Sequence, residues 1–336
     1  MKKIDYSKLE PGDIILTTSL AWESKVIRKA TDSDISHAML CVAPTSVMDS
    51  TGDGVQARNP QKLFYHDECA VYVLRLKEPL SDKMLKQVID YVRNEHGTEY
   101  NVKEAIRSVT GPKWGGGQDQ FCSRLVARAF SGVGIQLVEN ADFCTPAQLK
   151  ASPLLMTVEG AVAYISEEEV AAWENNPNGV RDFIEVSNEF LKRAREISSK
   201  IRTVNDPIEF VMQNPNRDDD MVEAYQSSGY LDFWKMTIVQ YPWRYDLSKM
   251  LEISKSYKCN DAITNYCLET IREEEAGGFN HWKCNLEWLQ QNPLTPQLNT
   301  LSELVILYEN LVKTHMLRVQ TAKIWLELDK NGLAPE

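Results

Sequence analysis

The sequence has no stretch approaching the ~20 consecutive apolar residues that a transmembrane helix requires, so no membrane-spanning segment is expected. Positive charge is also scarce: 37 Lys and Arg stand against 48 Asp and Glu, a net charge of −11. Nucleic acid is therefore not expected as a partner, because phosphate binding needs clustered cations, and simple docking on anionic lipid is disfavoured for the same reason. The opening MKKIDYSKLEPGDIIL carries two lysines but no apolar run of signal-peptide length, since an acid, a proline and a glycine interrupt it. The seven cysteines are odd in number and widely spread, which reads as reduced thiols rather than a disulfide scaffold. A cytoplasmic location is the simplest expectation, although export by a leaderless system would leave the same signature. Cys259, Cys267, His281 and Cys284 match no standard zinc spacing, so no metal or other cofactor is expected. There is no internal repeat and no low-complexity tract.

What is present is a chain of 336 residues, 43% hydrophobic and 25% charged, long enough for two domains with real cores. Residues 1–164 read as mixed α and β. Short β-rich runs at 13–16, 37–42, 46–50 and 70–76 are separated by Gly, Pro, Asp and Ser clusters. Between them, Met84, Leu85, Val88, Ile89 and Val92 fall at helical spacing behind a Ser81 cap, and a second apolar helix spans Cys122 to Val133. Residues 165–336 turn to helix after helix. Ser166-x-x-Glu169 and Thr300-x-x-Glu303 have the form of capping boxes, Asn175 to Gly179 breaks one helix, and the Thr300 helix runs to about Leu328. The run Asp218-Asp219-Asp220 reads as a solvated loop. Six of the eight tryptophans fall after residue 165, where bundle core is the expected place for them. The expected fold class is α+β: a domain with a small antiparallel sheet, followed by an all-helical bundle.

The chemistry concentrates at Gln120-Phe121-Cys122-Ser123-Arg124-Leu125-Val126. The loop before it, Gly111 to Gly117, is too glycine-rich to be helical, and its Gly115-Gly116-Gly117 run reads as a mobile lid. The apolar periodicity begins just after the cysteine, which places Cys122 in the first helical turn. There the free N–H groups and the helix dipole stabilise a thiolate, and a backbone N–H can face an oxyanion. Gln120 and Ser123, which flank the cysteine, are the side-chain candidates to meet the oxyanion or substrate. His37, in the apolar run Ser36-His37-Ala38-Met39-Leu40-Cys41-Val42, is the candidate base. Cys144, just before Thr145-Pro146, is the rival nucleophile, but no apolar helix follows it directly.

Several motifs in order carry a resemblance: Pro11-Gly12-Asp13-Ile14-Ile15-Leu16, Ala30-Thr31 with Ser36-His37, Val47-Met48-Asp49, Gly97-Thr98-Glu99-Tyr100-Asn101, Phe121-Cys122-Ser123-Arg124, and Thr145-Pro146-Ala147-Gln148-Leu149. Over about residues 8–155 the chain resembles the permuted papain-like hydrolases of the NlpC-type superfamily. The likeness is to the YiiX/YaeF-like branch and, more distantly, to lecithin:retinol acyltransferase. His37 precedes Cys122 here, the reverse of the ordinary papain-like order. The resemblance implies a circularly permuted papain-like domain over 1–164, with a Cys122 thiolate as nucleophile and His37 as base. It also implies an acid on the strand after the histidine strand, which points to Asp49 as the group that orients the imidazole.

Strand register keeps that last assignment open. A four-residue turn over 43–46 sets Leu40 opposite Asp49 and turns the acid away from His37. A three- or five-residue turn brings Asp49 onto the His37 face and Asp53 nearly opposite, so Asp53 is the second choice. The activity expected is hydrolysis of an amide bond in a peptide or peptidoglycan fragment. Two alternatives stay open: a lipid acyltransferase or acyl hydrolase with the same Cys–His pair, and a non-catalytic scaffold, such as a delivered effector, whose helical domain binds a partner protein.

Overall fold

The computed structural model describes residues 1–18, 29, 32–100 and 119–334. The glycine-rich loop Gly111–Gly117, with the Gly115-Gly116-Gly117 run read as a lid, and the pair Ala30–Thr31 lie outside the described residues, as does Asn101. The chain forms two compact units: Met1–Ile184 with Arg202–Asn205, and Glu185–Ile201 with Asp206–Glu336.

In the first unit the strands are β1 (Lys2–Ile4), β2 (Ile14–Thr17), β3 (His37–Ala43), β4 (Ser46–Thr51), β5 (Gly54–Arg58), β6 (Phe64–Tyr65) and β7 (Val71–Leu76). Helices α1 (Asp82–Asn94), α2 (Cys122–Ser131) and α3 (Pro146–Lys150) follow, then β8 (Leu155–Thr157), β9 (Val162–Tyr164) and α4 (Glu167–Glu174). Six strands make an antiparallel sheet in the order β5-β4-β3-β2-β7-β8, and three make a small second sheet, β6-β1-β9. Strand alternation sorts the core into two faces. Ile14, Leu16, Ala38, Leu40, Met48 and Val55 pack with Val88, Val92, Leu125, Val126 and Phe130 of α1 and α2. Ile15, Met39, Cys41, Val47 and Val73 pack with Ile4, Leu9 and Ala161 from the side of the small sheet.

The expected strands and helices are present, and the sheet is antiparallel as anticipated. The additional strands are short, and β5 (Gly-Val-Gln-Ala-Arg) is too polar to stand out by composition. Ser81 caps α1 by accepting from the Met84 N–H, and Ser166 with Glu169 makes a complete capping box on α4. Buried Asp13 holds Arg75 through both carboxylate oxygens, at 2.7 and 2.9 Å, and accepts from the Glu10 N–H. This fixes the start of β2, while the Cys41 N–H donates to the Asp13 carbonyl. Lys62 donates to the carbonyls of Trp173, Asn176 and Pro177, tying down the chain after α4.

The hairpin β3–β4 answers the register question in a way neither turn length anticipated. Ala43 pairs with Ser46 across a two-residue turn, and a β-bulge then shifts the register so that Cys41 meets Val47 and Leu40 meets Met48. The bulged residue is Val42. Continued along the strands, this register sets Met39 opposite Asp49 and His37 opposite Thr51, so Asp49 shares the His37 face. Without the bulge Leu40 would face Asp49.

The second unit carries α5 (Gly179–Ile197) from Glu185 onward, then α6 (Asp206–Gln213), α7 (Asp218–Ser228), α8 (Phe233–Gln240), α9 (Leu247–Tyr257), α10 (Asn260–Glu275), α11 (Asn280–Gln291) and α12 (Asn299–Lys330). Three expectations are corrected here. Asp218-Asp219-Asp220 is the first turn of α7 rather than a solvated loop, and Asp218 is buried. Its oxygens accept from the Asn299 and Thr300 N–H groups at 2.6 and 3.1 Å, so it caps α12 in place of a Thr300 capping box. The tryptophans are also less internal than expected. Trp325 is fully buried and donates to Thr264, while Trp173 and Trp288 are exposed.

Gly54 opens β5 at φ +85°, and a Cβ there would sit 2.8 Å from the Thr98 carbonyl oxygen. Gly54→Ala is expected to lower the unfolding free energy by about 2 kcal/mol, from αL strain plus that clash. Urea denaturation followed by tryptophan fluorescence checks this, and an unchanged midpoint would contradict it.

Candidate active site

Cys122 is the first residue of α2, and the residue before it, Phe121, provides no side-chain cap. The first-turn N–H groups at the sulfur therefore have no side-chain cap competing for them. The thiol is 4% exposed. Fully buried Arg124 braces this end of the helix. It donates to the carbonyls of Asp119 and Asp142, each at 2.8 Å, and its guanidinium stacks over Phe121 and Phe143.

His37 starts β3, with its ring close enough to Cys122 for the sulfur's charge to act on it. Its Nε2 is 2.9 Å from Asp49 Oδ2, which leaves Nδ1 as the nitrogen for the sulfur. The ring is 17% exposed and the Asp49 side chain 6%. Burial pulls the imidazole toward its neutral form. The negative charge of Cys122 and the hydrogen bonds to Asp49 and Cys122 outweigh it, and the His37 pKa is raised from 6.5 to about 10. Burial also works against the Asp49 charge, but the hydrogen bond and charge of His37, with Arg58 behind them, hold the carboxyl below its ordinary value. The groups brought together thus favour the imidazolium form of His37 and the carboxylate form of Asp49.

The other candidates are placed differently. Asp53 is 55% exposed and pairs with Arg58 Nη2 at 3.2 Å; Asp49 is the acid on His37. Gln120 is buried with its amide nitrogen on Glu95 Oε2 at 2.9 Å and the Tyr91 hydroxyl at 3.3 Å, which engages both of its N–H donors. The Ser123 hydroxyl donates to the Cys144 carbonyl at 2.8 Å and so ties α2 to the segment leading into α3. Cys144 itself is buried, and burial pushes its thiol up to about 12, despite the Ser123 hydrogen bond, so it is a protonated thiol at neutral pH. Among the described residues, no group of three or more His, Cys, Asp and Glu is placed to hold a metal ion.

One residue beside the acid was not anticipated. Arg58 Nε donates to Asp49 Oδ1 at 3.1 Å, and its Nη2 donates to Thr51 Oγ1 at 2.8 Å. A signal for it existed in the sequence. Thr51-Gly52-Asp53-Gly54 is a two-residue hairpin turn, which sets Arg58 opposite Val47 and diagonal to Asp49.

The chain is similar to several known proteins over its first part. Residues 8–151 match the family described as permuted papain-like amidase enzyme, YaeF/YiiX, C92 family. Over 109 residues the chain is 26% identical to the probable lipoprotein peptidase YaeF of Escherichia coli K12, covering 32% of this chain and 39% of that protein. The chain thus spans about two fifths of the length of the curated relative it matches. A crystal structure described as metalloprotein yiiX from Escherichia coli O157:H7 aligns at 19% identity and a TM-score of 0.38, over 45% of this chain and 97% of that one. Residues 8–151 are thus similar to the permuted papain-like amidases of the YaeF/YiiX family.

Proposed function

We propose that the chain is a cysteine hydrolase of amide bonds in peptide-type substrates, with Cys122 as nucleophile, His37 as its proton partner and Asp49 as the group that orients the imidazole. The observation that carries this reading is the row Cys122–His37–Asp49, in which His37 Nε2 meets Asp49 Oδ2 at 2.9 Å and the Cys122 charge acts on the ring, with the sulfur at an uncapped helix start. The match to a family of amidases supports the choice of an amide.

The reaction follows from the row. The Cys122 sulfur attacks the substrate carbonyl carbon, and the carbonyl π electrons move to oxygen, where N–H groups at the start of α2 can meet the developing charge. The tetrahedral intermediate collapses as His37 gives its proton to the leaving nitrogen, breaking the C–N bond and leaving a thioester on Cys122. His37, now neutral with Nε2–H held on Asp49, takes a proton from water, which attacks the thioester. The acid is released, and the sulfur and imidazole return to their starting forms. Cys144, a protonated thiol on the far side of the Ser123 tie, has no part in this sequence.

Three outcomes are expected. Iodoacetamide should label Cys122 ahead of exposed Cys284, and His37→Ala should slow that labelling about a hundredfold. Peptide mapping by mass spectrometry reads this; faster labelling of Cys284, or a rate indifferent to His37→Ala, would sink the assignment. The pH profile of Cys122 reactivity should hold its plateau up to an alkaline limb near 10, where the imidazolium deprotonates. Asp49→Asn removes a hydrogen bond and a charge that raise the His37 pKa, so the limb should move down in pH, toward 6.5; a limb that stays in place would show that the acid does not act on His37. The sign for stability is the same. A histidine pKa raised in the folded state contributes stability that is complete below 6.5 and lost as pH rises through about 10, so thermal melting should weaken over that window in wild type and less so in Asp49→Asn.

A further inference from the structure

We infer that Arg58 is a positioning residue for this chemistry: it selects which oxygen of Asp49 meets His37 and keeps that carboxylate ionised. The inference rests on the cysteine-hydrolase reading above and deepens it.

The Asp49 carboxylate is nearly buried, and both of its oxygens are engaged. Oδ2 accepts from His37 and Oδ1 accepts from Arg58 Nε, so each oxygen meets a different cation. A carboxylate with only one oxygen engaged can rotate about its Cβ–Cγ bond or pick up a proton on the idle oxygen. Either change releases the imidazole: a protonated Asp49 would offer a hydroxyl donor where His37 needs an acceptor for Nε2–H. Arg58 closes both routes, because its N–H fills Oδ1 and its charge disfavours protonation.

The guanidinium is itself held in place. Its Nη2 donates to Thr51 and to Asp53, so the fork is anchored at one end and presents Nε at the other. Thr51 and Asp49 lie two apart on β4, on one face, and Arg58 lies diagonally across on β5. The bulge at Val42 brings His37 to the same face. The result is a row of alternating charge from Cys122 through His37, Asp49 and Arg58 to Asp53. Arg58 touches neither the sulfur nor the imidazole in this row and acts through Asp49. A lysine could supply the charge but not the two-ended fork.

The test uses the full chain with p-nitrophenyl acetate as acyl donor, and follows the Asp49 carboxyl directly by NMR of isotope-labelled aspartate assigned through Asp49→Asn. In Arg58→Gln the carboxyl midpoint should rise by about one pH unit, and turnover of the ester near neutral pH should fall roughly tenfold. Arg58→Lys should keep the midpoint near the wild-type value and recover part of the turnover. A merely structural arginine would lower the melting temperature without moving the carboxyl titration. An unmoved midpoint in Arg58→Gln, or wild-type turnover in that variant, overturns the inference. Should Arg58→Gln not fold, Arg58→Lys carries the test: reduced turnover with a retained midpoint supports the role, and wild-type turnover with a shifted midpoint overturns it. Failure of the underlying reading looks different, since Asp49→Asn would then turn over the ester as fast as wild type.

Discussion

The site depends on one extra residue in one strand. Val42 is accommodated as a bulge between Ala43, which pairs with Ser46, and Cys41, which pairs with Val47. Side chains alternate strictly along a strand, so a single-residue offset decides on which face everything beyond it lies. With the bulge, His37, Asp49, Thr51 and Arg58 share a face. The neighbouring apolar residues Ala38, Leu40 and Met48 then face α1 and α2, so the same offset that assembles the polar row keeps the core intact. The Cys41 thiol donates to the Ala43 carbonyl across the bulge, a local contact within the irregular turn.

Much of this site was legible in the sequence because helix starts and short strands leave local marks. The glycine-rich approach and the apolar periodicity after Cys122 placed the sulfur at the first turn of α2, and β3 and β4 were visible as β-rich runs. The acid that meets His37 was not legible to the same degree. Its face turns on a bulge, and nothing in the residues 41–46 distinguishes a two-residue turn with a bulge from a three-residue turn without one. Gln120 and Ser123 show a related limit. Both flank the sulfur, yet Gln120 spends its donors on Glu95 and Tyr91, and Ser123 spends its hydroxyl on Cys144. Proximity in sequence to a candidate nucleophile does not say where a donor points once α1 and the chain before α3 have packed around it.

The charges follow the same logic of local and distant causes. A histidine at the buried start of a strand should be neutral, and burial does press it that way. What reverses the outcome is a sulfur 85 residues downstream and an acid on the next strand, neither adjacent in sequence. His96 is the counterexample within the same unit. It is half-buried with a glutamine, Gln56, as its ring partner, and desolvation alone takes its pKa down to about 4. Two imidazoles in one unit thus settle at opposite ends of the histidine range, and the difference lies in whether charged partners reach the ring.

The cap on α12 has a consequence for how the helical unit is assembled. A helix that begins after its own capping residue can close its first turn as soon as the chain is made, but α12 receives its cap from Asp218, about 80 residues earlier. Its first two amides are satisfied only when α7 has docked. Amide hydrogen exchange at Asn299 and Thr300 therefore reports the separation of α7 from α12 rather than the fraying of one helix end, making these two protons a local gauge of cooperative opening in the unit.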